Sequence, residues 1–271
     1  MITIDFSGKA VLVTGGTKGI GLAAALEFAR AGAKTYLTYK WGSADTGALY
    51  SRFESEGLIR PELIEADASR EEDTKSLLEG IRKKETTIDV LVSNVGFSAR
   101  VLSLAEYKKR TLYKTLDYST WPLIDYTKTI KEIFGKYPAS VVGVSSDGPD
   151  HFYTGYDFVA ASKALLEFFG KYLAIHLGGE GSRVNIIRFG MVQTDSFNEI
   201  FGENFFAFLK KEGYSEDNVV TPEECGKAIF AVSCGYLDAL SGQIITVDKG
   251  LPFADNLMMR YFASQKKSEK N

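Results

Sequence analysis

The feature that most constrains the fold is a glycine-rich turn near the start of the chain. Residues 14–21 read Thr-Gly-Gly-Thr-Lys-Gly-Ile-Gly, between an apolar run at 9–14 and an amphipathic stretch at 17–31. Glycines in such a turn let the backbone approach a pyrophosphate, and the following helix presents its N-terminal amides. This interpretation needs a strand before the turn and a helix after it, and the sequence indicates both. We therefore expect a dinucleotide to bind here, in contact with Gly15, Lys18, Gly19, Ile20 and Gly21.

The remainder of the chain alternates short β-branched runs with longer amphipathic segments. Strands are predicted at 34–39, 63–66, 89–94, 140–145, 183–189 and 243–247, and helices at 44–56, 69–84, 119–135, 160–177 and 222–233. Ser69 with Glu72, and Thr221 with Pro222, carry the residue types of helix N-termini. This alternation predicts parallel strands joined by right-handed crossovers. The expected fold is α/β, a single Rossmann-like doubly wound parallel sheet with helices on both faces.

Composition and charge exclude several classes of function. The 271 residues carry a net charge of −3, which offers no basic footprint for nucleic acid. No apolar run approaches the roughly 20 residues of a membrane helix, and the first residues lack the pattern of a signal peptide. With two cysteines (Cys225, Cys234) and two histidines (His151, His176), neither a disulfide framework nor a His-based metal site is expected. We predict a cytoplasmic protein without a metal.

The Gly-x-x-x-Gly-x-Gly spacing of the turn resembles the short-chain dehydrogenase/reductase superfamily, and the resemblance continues to about residue 250. Asp67-Ala68 is similar to the superfamily's adenine-contacting position, and residues 93–96 (Ser-Asn-Val-Gly) to its Asn-Asn-Ala-Gly motif. Residues 190–194 are similar to its Pro-Gly-x-x-x-Thr segment, which holds the nicotinamide, although Phe189 replaces the proline. Residues 241–250 resemble its C-terminal signature. The resemblance implies cofactor contacts from Asp67, Ala68, Asn94, Gly96, Gly190, Val192 and Thr194.

The charge at the end of the second predicted strand indicates which dinucleotide binds. A carboxylate at that place would hold the adenosine ribose hydroxyls and repel a 2′-phosphate. This chain has Tyr39, Lys40, Trp41 and Gly42 there instead, and Lys18 in the glycine turn is a second cation for the same phosphate. We therefore predict NADPH, with NADH the less favoured cofactor. The alternative is that both lysines are ordinary solvated surface residues.

The predicted catalytic helix departs from the superfamily's usual pattern. Most members place a tyrosine four residues before a lysine, but here Val159 stands four residues before Lys163. Ser146, thirteen residues before Val159, fits the superfamily's serine position, so a shifted alignment does not explain the missing tyrosine. Tyr156 lies seven residues before Lys163, and at 100° per residue the two share one helix face, about 10 Å apart along the axis. Tyr153 is a second phenol nearby.

The Tyr-x6-Lys spacing resembles bacterial enoyl-acyl-carrier-protein reductases of the NADPH-dependent type. This resemblance implies hydride transfer to the β-carbon of an unsaturated thioester, with Tyr156 donating a hydrogen bond to the enolate oxygen. It implies that Lys163 holds the nicotinamide ribose and that Ser146 assists. It also implies a part in fatty-acid or polyketide biosynthesis, an acyl thioester substrate such as one on an acyl carrier protein, and a homodimer or homotetramer.

Two alternatives stay open on the sequence. A ketoreductase or another carbonyl reductase would use Tyr156 or Tyr153 as its acid. A degenerate member would bind the nucleotide without catalysis. The second alternative is supported by Val159, by Phe189 and by Tyr118, which stands where the superfamily often has an active-site asparagine.

We expect one dinucleotide-binding domain over 1–264 and a polar tail at 265–271. Residues from about 195 to 217 match the position of the superfamily's substrate lid. This segment is rich in large apolar side chains, namely Phe197, Ile200, Phe201, Phe205, Phe206, Phe208 and Leu209. They predict either an apolar pocket for an acyl chain or ordinary helix packing.

Overall fold

Seven parallel strands form one sheet in the order β3-β2-β1-β4-β5-β6-β7. The computed structural model describes residues 4–40, 45–202, 204–212, 214–255 and 258. The strands are β1 (Ala10–Val13), β2 (Lys34–Tyr39), β3 (Glu62–Glu65), β4 (Val90–Ser93), β5 (Ser140–Ser146), β6 (Arg183–Phe189) and β7 (Ile244–Val247). Every neighbouring pair runs parallel. The predicted α/β class with a parallel sheet is therefore confirmed.

Helices cover both faces of this sheet. In the described ranges they are α1 (Gly19–Arg30), α2 (Thr46–Ser55), α3 (Glu71–Arg82), α4 (Lys109–Ser119), α5 (Trp121–Phe134), α6 (Asp157–Gly178), α7 (Asp195–Phe201), α8 (Phe205–Lys211), α9 (Pro222–Ser233) and α10 (Leu251–Ala254). Buried side chains of α1, α2 and α9 belong to one apolar core, and those of α3, α5 and α6 to another.

Strand β1 shows why both faces are buried. Val11 and Val13 point into the first core, whereas Ala10 and Leu12 point into the second. Because successive side chains of a strand point to opposite faces, an uninterrupted apolar run has to be covered on both sides. The continuous apolar character of the run at 9–14 thus follows from its central place in the sheet.

The strand order creates a cleft at one edge of the sheet. From β1 the sheet continues through β2 to β3 on one side and from β4 to β7 on the other. In such a sheet the connections diverge at this point, and ligands bind outside the carboxyl ends of the strands. The glycine turn leaves β1, and Asn94 follows β4, so both lie at this switch point.

The two predicted helix starts have different outcomes. At α9 the Thr221 hydroxyl accepts a hydrogen bond from the Glu224 amide (3.2 Å), and the Glu224 carboxylate accepts one from the Thr221 amide (2.9 Å). This capping box confirms the predicted start. The predicted start at Ser69 is wrong, because the N-cap of α3 is Arg70. The Ser69 hydroxyl instead donates to the carboxylate of Asp67 (2.7 Å).

The helix predicted at 119–135 is confirmed as α5 (Trp121–Phe134), whereas the helix that precedes it, α4, was not predicted. Helix α4 ends at Ser119 and α5 begins at Trp121, with Thr120 between them in a non-helical conformation. Pro122 in the first turn of α5 has no amide hydrogen to continue the earlier helix. The Thr120 hydroxyl donates to the carbonyl of Ser162 (2.8 Å) and ties the break to α6. The break places the end of α4 at the cleft.

None of the described helices is long and apolar enough to cross a membrane. Across the same ranges, no group of three or more His, Cys, Asp and Glu side chains is arranged to hold a metal ion. The predicted polar tail at 265–271 lies outside the described residues, as does residue 44, the predicted start of α2.

Candidate active site

The glycine turn has a backbone that only glycine adopts without strain or collision. Gly15 and Gly19 have positive φ angles of 61° and 54°. A Cβ at Gly21 would lie 2.3 Å from the carbonyl oxygen of Gly15, so α1 packs directly against the turn. The turn thus presents bare backbone at the start of α1, where a helix N-terminus favours an anion. These residues fit the pyrophosphate of a dinucleotide.

Asn94 fixes the turn against the end of β4. Its side-chain amide donates to the carbonyl oxygens of Thr14 (3.1 Å) and Gly15 (3.0 Å). The Thr14 hydroxyl in turn accepts hydrogen bonds from the amides of Asn94 (3.0 Å) and Val95 (3.2 Å). Because the side-chain amide of Asn94 donates both of its hydrogen bonds to the turn, Asn94 positions the backbone of the turn.

A cavity of about 740 Å³ opens along the carboxyl ends of the strands. A cavity of this size suits a cofactor or substrate. It brings together fourteen of the predicted site residues: Gly15, Lys18, Gly19, Ile20, Lys40, Ala68, Asn94, Gly96, Ser146, Tyr156, Lys163, Gly190, Val192 and Thr194. The other three, Gly21, Asp67 and Tyr153, are not part of its lining. Gly21 lies behind the turn, and the other two point to polar neighbours described below.

Both cations predicted for a 2′-phosphate have carboxylate neighbours. Lys40 forms an ion pair with Asp67 and also donates a hydrogen bond to the Tyr118 hydroxyl. Burial lowers the pKa of Lys40, but the hydrogen bonds to Asp67 and Tyr118 outweigh it, and the pKa is raised. Lys18 lies 3.7 Å from Asp195, the first residue of α7, and both of these side chains are exposed. Lys40 is therefore the better ordered cation.

The Tyr156 phenol and the Ser146 hydroxyl form a hydrogen-bonded pair in the cavity. The phenol donates to Ser146 Oγ over 2.9 Å. Burial raises the pKa of Tyr156 to about 12; the bond to Ser146 opposes the rise, and the nearby charge of Asp147 adds to it. The phenol therefore keeps its proton at neutral pH and is available as a hydrogen-bond donor.

Tyr156 lies just before the helix that carries Lys163 rather than within it. It is the N-cap residue of α6, and its carbonyl accepts a hydrogen bond from the Ala160 amide (2.8 Å). Its ring packs on Gly148, where an added Cβ would lie 2.5 Å from Tyr156 Cε1. Val159 is buried and lines the same cavity. Tyr156 and Lys163 line one cavity, as their spacing predicted. The loop before α6 also positions the phenol.

Lys163 is buried at the base of the cavity. Its side chain is 8% exposed and donates to the carbonyl oxygen of Val144 (2.8 Å). Burial lowers the pKa of Lys163 to about 8, and the charge of Glu167 one helical turn later opposes the shift. The ammonium is therefore mostly protonated at neutral pH and loses its charge under mildly alkaline conditions.

Tyr153 is engaged by a buried carboxylate that the sequence analysis missed. Its hydroxyl donates to Asp147 Oδ2 over 2.7 Å. Asp147 is 6% exposed, and burial raises its pKa although Tyr153 opposes the shift. Burial and the bond to Asp147 together raise the pKa of Tyr153. Tyr153 is not part of the cavity lining, although its ring lies 6.0 Å from that of Tyr156. The position of Asp147 directly after Ser146 was the available signal for its contact with Tyr153.

A buried ion pair joins the elements that carry the site. Arg188 on β6 donates to both carboxylate oxygens of Glu167 on α6, at 3.0 and 2.6 Å. The Ser145 hydroxyl donates to the same carboxylate (2.7 Å). Arg188 also contacts the carboxylate of Asp150 in the loop between β5 and α6. Glu167 therefore joins β5, β6 and the helix that carries Lys163.

Replacing Glu167 with Gln is expected to lower the free energy of unfolding by about 3 kcal/mol. The change leaves the Arg188 guanidinium, 13% exposed, with the exposed Asp150 as its remaining carboxylate partner. Urea denaturation measures the loss. The matched control is Glu180→Gln, which removes a surface partner of Lys131 and should cost less than about 1 kcal/mol. Equal losses in the two variants would contradict a supporting role for the buried pair.

The apolar residues of the predicted lid (residues 195–217) divide between the cavity wall and helix packing. Phe197, Ile200 and Phe201 on α7 line the cavity. The ring of Phe201 lies 5.7 Å from that of Tyr156 and 5.9 Å from that of Tyr153. Phe205, Phe206 and Phe208 of α8 pack against α7 and one another, with ring centroids 5.0 to 6.4 Å apart in their contacts with Phe197, with Phe201 and among themselves. The inner face of the lid therefore gives the cavity an apolar wall beside the phenol.

The fold and the cleft together define a nucleotide-binding α/β protein with a Ser, Tyr and Lys in its site. A family model described as "Enoyl-(Acyl carrier protein) reductase" matches residues 15–252. The chain belongs to this family and, with it, to the short-chain dehydrogenase/reductase superfamily of oxidoreductases.

The relatives that cover almost the whole chain include two classes of acyl-carrier-protein reductase, beside dehydrogenases of other substrates. The 3-oxoacyl-acyl-carrier-protein reductase FabG of Chlamydia trachomatis is 26% identical over 245 residues, covering 90% of this chain and 97% of its own. The enoyl-acyl-carrier-protein reductase (NADH) FabI of Aquifex aeolicus is 24% identical over 254 residues, covering 90% and 91%. A solved short chain dehydrogenase from Burkholderia cenocepacia in complex with NADP aligns with a TM-score of 0.79 at 25% identity, covering 91% and 99%. The comparisons support a reductase related to enzymes of fatty-acid metabolism, and the site has to distinguish the two classes.

Proposed function

We propose that this protein is an NADPH-dependent reductase of α,β-unsaturated thioesters in fatty-acid or polyketide-type biosynthesis. The observation that carries the proposal is the position of the phenol. Tyr156, seven residues before Lys163, lines the cleft with its hydroxyl on Ser146, while Val159 stands where a ketoreductase tyrosine belongs. A phenol placed further from Lys163 than in a ketoreductase suits a thioester oxygen three bonds from the carbon that receives hydride, whereas a ketone oxygen is bonded to that carbon directly.

The residues of the site match the charge that such a reaction develops. The nicotinamide, when bound, supplies a hydride to the β-carbon of the thioester. As that bond forms, the electrons of the carbon–carbon double bond move to the thioester oxygen, which becomes an enolate oxygen. Tyr156 donates its hydrogen bond to this oxygen, and the protonated Lys163 holds the nicotinamide ribose and adds positive potential. A proton then adds to the α-carbon and restores the thioester carbonyl.

The proposed cofactor is NADPH, on account of charge at the adenosine end. Lys40 directly follows β2, in place of the acid that would repel a 2′-phosphate, and Asp67 holds it in position. The Burkholderia structure contains NADP, whereas the Aquifex relative is named for NADH. Because these two proteins differ in cofactor, the choice of NADPH depends on Lys40 and Asp67.

The proposed substrate is an acyl thioester, including one on an acyl carrier protein. Lys108, Lys109 and Arg110 are exposed at the start of α4, whose Lys114 lines the cavity, and a basic rim suits an acidic carrier. We propose a homo-oligomer as well, because α6 exposes an apolar stripe of Phe168, Tyr172 and Ile175. The cytoplasmic location predicted from composition belongs to the same proposal.

A 3-oxoacyl reductase is the second candidate, favoured by the relation to the Chlamydia enzyme. Tyr156 would then protonate the alkoxide formed at a reduced ketone. The two candidates differ in the thioester that the site turns over. A protein without catalysis is the third outcome of the same test.

The test is NADPH consumption with purified protein and two matched thioesters, crotonyl and acetoacetyl. The proposal predicts faster consumption with crotonyl thioester, and faster with NADPH than with NADH. Faster consumption with acetoacetyl thioester would move the protein to the ketoreductases. Binding of NADPH without turnover of either thioester would favour the non-catalytic alternative.

A further inference from the structure

Three residues from three separate elements meet at the adenosine end of the cleft. Lys40 follows β2, Asp67 follows β3 and Tyr118 lies near the end of α4. Tyr118 donates to Asp67 Oδ2 over 3.1 Å, and Lys40 donates both to the same oxygen and to the Tyr118 hydroxyl. Lys40 Nζ also lies 4.9 Å from the centroid of the Tyr118 ring. We call this cluster the adenosine-end network.

The network spans the sheet edge where a dinucleotide has to lie. In the strand order β3-β2-β1-β4, two strands separate β3 from β4. A contact between Asp67, after β3, and α4, after β4, therefore reaches across the ends of β2 and β1. Lys40 and Tyr118 line the same cavity as Gly15, and so does Ala68 beside Asp67. The adenosine half of a dinucleotide binds over these strand ends.

The Asp67 carboxylate holds the network together. Burial raises its pKa, but hydrogen bonds from Lys40 and from the Ser69 hydroxyl and amide outweigh it and lower the pKa to about 2. Asp67 is therefore ionised at neutral pH, and its ion pair with Lys40 is largely shielded, with side chains 16% and 18% exposed. A hydrogen bond from Tyr118 to this charged acceptor is stronger than one between neutral groups.

The Tyr118 ring is also supported from its other side. Its centroid lies 5.7 Å from that of Phe97, in a tilted contact. The Phe97 amide donates to the Ser119 hydroxyl (3.0 Å), which ties this loop to the end of α4. The position of Tyr118 thus follows from packing on Phe97 as well as from its hydroxyl.

We propose that Tyr118 is an affinity-determining residue that closes the adenosine end of the cleft and has to be displaced when the dinucleotide binds. The proposal rests on the proposed cofactor, because it assumes a nucleotide in this cleft. On binding, the nucleotide occupies the position of the Tyr118 phenol. Lys40 then contacts the nucleotide instead of Tyr118. The apparent affinity for a dinucleotide is then its intrinsic affinity multiplied by the fraction of the protein in which Tyr118 is displaced. The nicotinamide half, bound at the other end, does not face this competition.

The test compares nucleotide fragments in Tyr118→Phe and wild type. This variant removes the hydroxyl that donates to Asp67 and keeps the ring on Phe97. Isothermal titration calorimetry measures binding of adenosine 2′,5′-bisphosphate, of reduced nicotinamide mononucleotide and of NADPH. The matched control is Tyr113→Phe, which removes an exposed hydroxyl on the same helix.

We expect Tyr118→Phe to bind adenosine 2′,5′-bisphosphate and NADPH about tenfold more tightly, since the lost hydrogen bond stabilised only the closed protein. Binding of reduced nicotinamide mononucleotide should not change, and Tyr113→Phe should match wild type throughout. Unchanged or weaker binding of the bisphosphate by Tyr118→Phe, with NADPH still bound by wild type, would overturn the closing role alone. Failure of every variant to bind NADPH would overturn the proposed cofactor and the closing role together.

Discussion

Tyr156→Phe is expected to lower the turnover of a crotonyl thioester about 10²- to 10³-fold, the usual cost of removing one donor to a developing oxyanion. The substitution keeps the ring that packs on Gly148 and beside Phe201. It removes only the hydroxyl that donates to Ser146. Steady-state kinetics with NADPH measure the loss, and the NADPH dissociation constant should stay at its wild-type value, since the phenol serves the thioester oxygen.

The matched control for this prediction is Tyr153→Phe. Tyr153 donates its hydroxyl to Asp147, so its removal should change turnover far less. Were Tyr153→Phe the inactive variant and Tyr156→Phe the active one, the roles of the two phenols would be reversed. Equal, small effects in both variants would mean that neither phenol stabilises the transition state.

Lys163→Met is expected to lower kcat/KM about 10²-fold, because the lysine that positions the nicotinamide ribose is lost. Methionine keeps the length of an unbranched side chain in the buried position of Lys163. The same variant has a second consequence, for stability. Wild type carries the desolvation cost of a buried ammonium, which methionine removes.

This stability difference should depend on pH, with a sign set by the lowered pKa. Below pH 8 Lys163 is charged in both the folded and the unfolded chain, so wild type bears the full desolvation cost. Between about 8 and the ordinary value of 10.5, the folded protein has released its proton and the unfolded chain has not. The free energy of unfolding of wild type should therefore increase by about 3 kcal/mol relative to that of Lys163→Met as the pH rises through this window. Denaturant titrations at several pH values measure it, and a difference independent of pH would contradict the buried ammonium.

The fold followed from the sequence because its strands are buried on both faces. Residues 10–13 of β1 are all apolar, and β6 was predicted with its observed bounds, Arg183–Phe189. Local signals failed where a side chain had a better partner in three dimensions. The Ser69 hydroxyl donates to the Asp67 carboxylate instead of capping α3.

The site was predictable to the extent that motifs place residues at strand ends. The glycine turn follows β1, Asn94 follows β4 and Ser146 ends β5, and the sheet brings them to one edge. Contacts between distant elements were not predictable from spacing. The bond from Tyr118 to Asp67 joins residues 51 apart, and the pair of Arg188 with Glu167 joins residues 21 apart. Such pairs depend on how α4 and α6 pack, which a single sequence does not encode locally.

Addition of hydride to the β-carbon of an enoyl thioester can be tested by competition. An equal mixture of crotonyl and acetoacetyl thioesters is offered to the protein with NADPH deuterated at its transferable position, and the products are identified by NMR. We expect mainly butyryl thioester carrying deuterium at C3. Mainly 3-hydroxybutyryl thioester carrying deuterium at C3 would contradict it, because the site would then reduce the ketone in preference to the double bond.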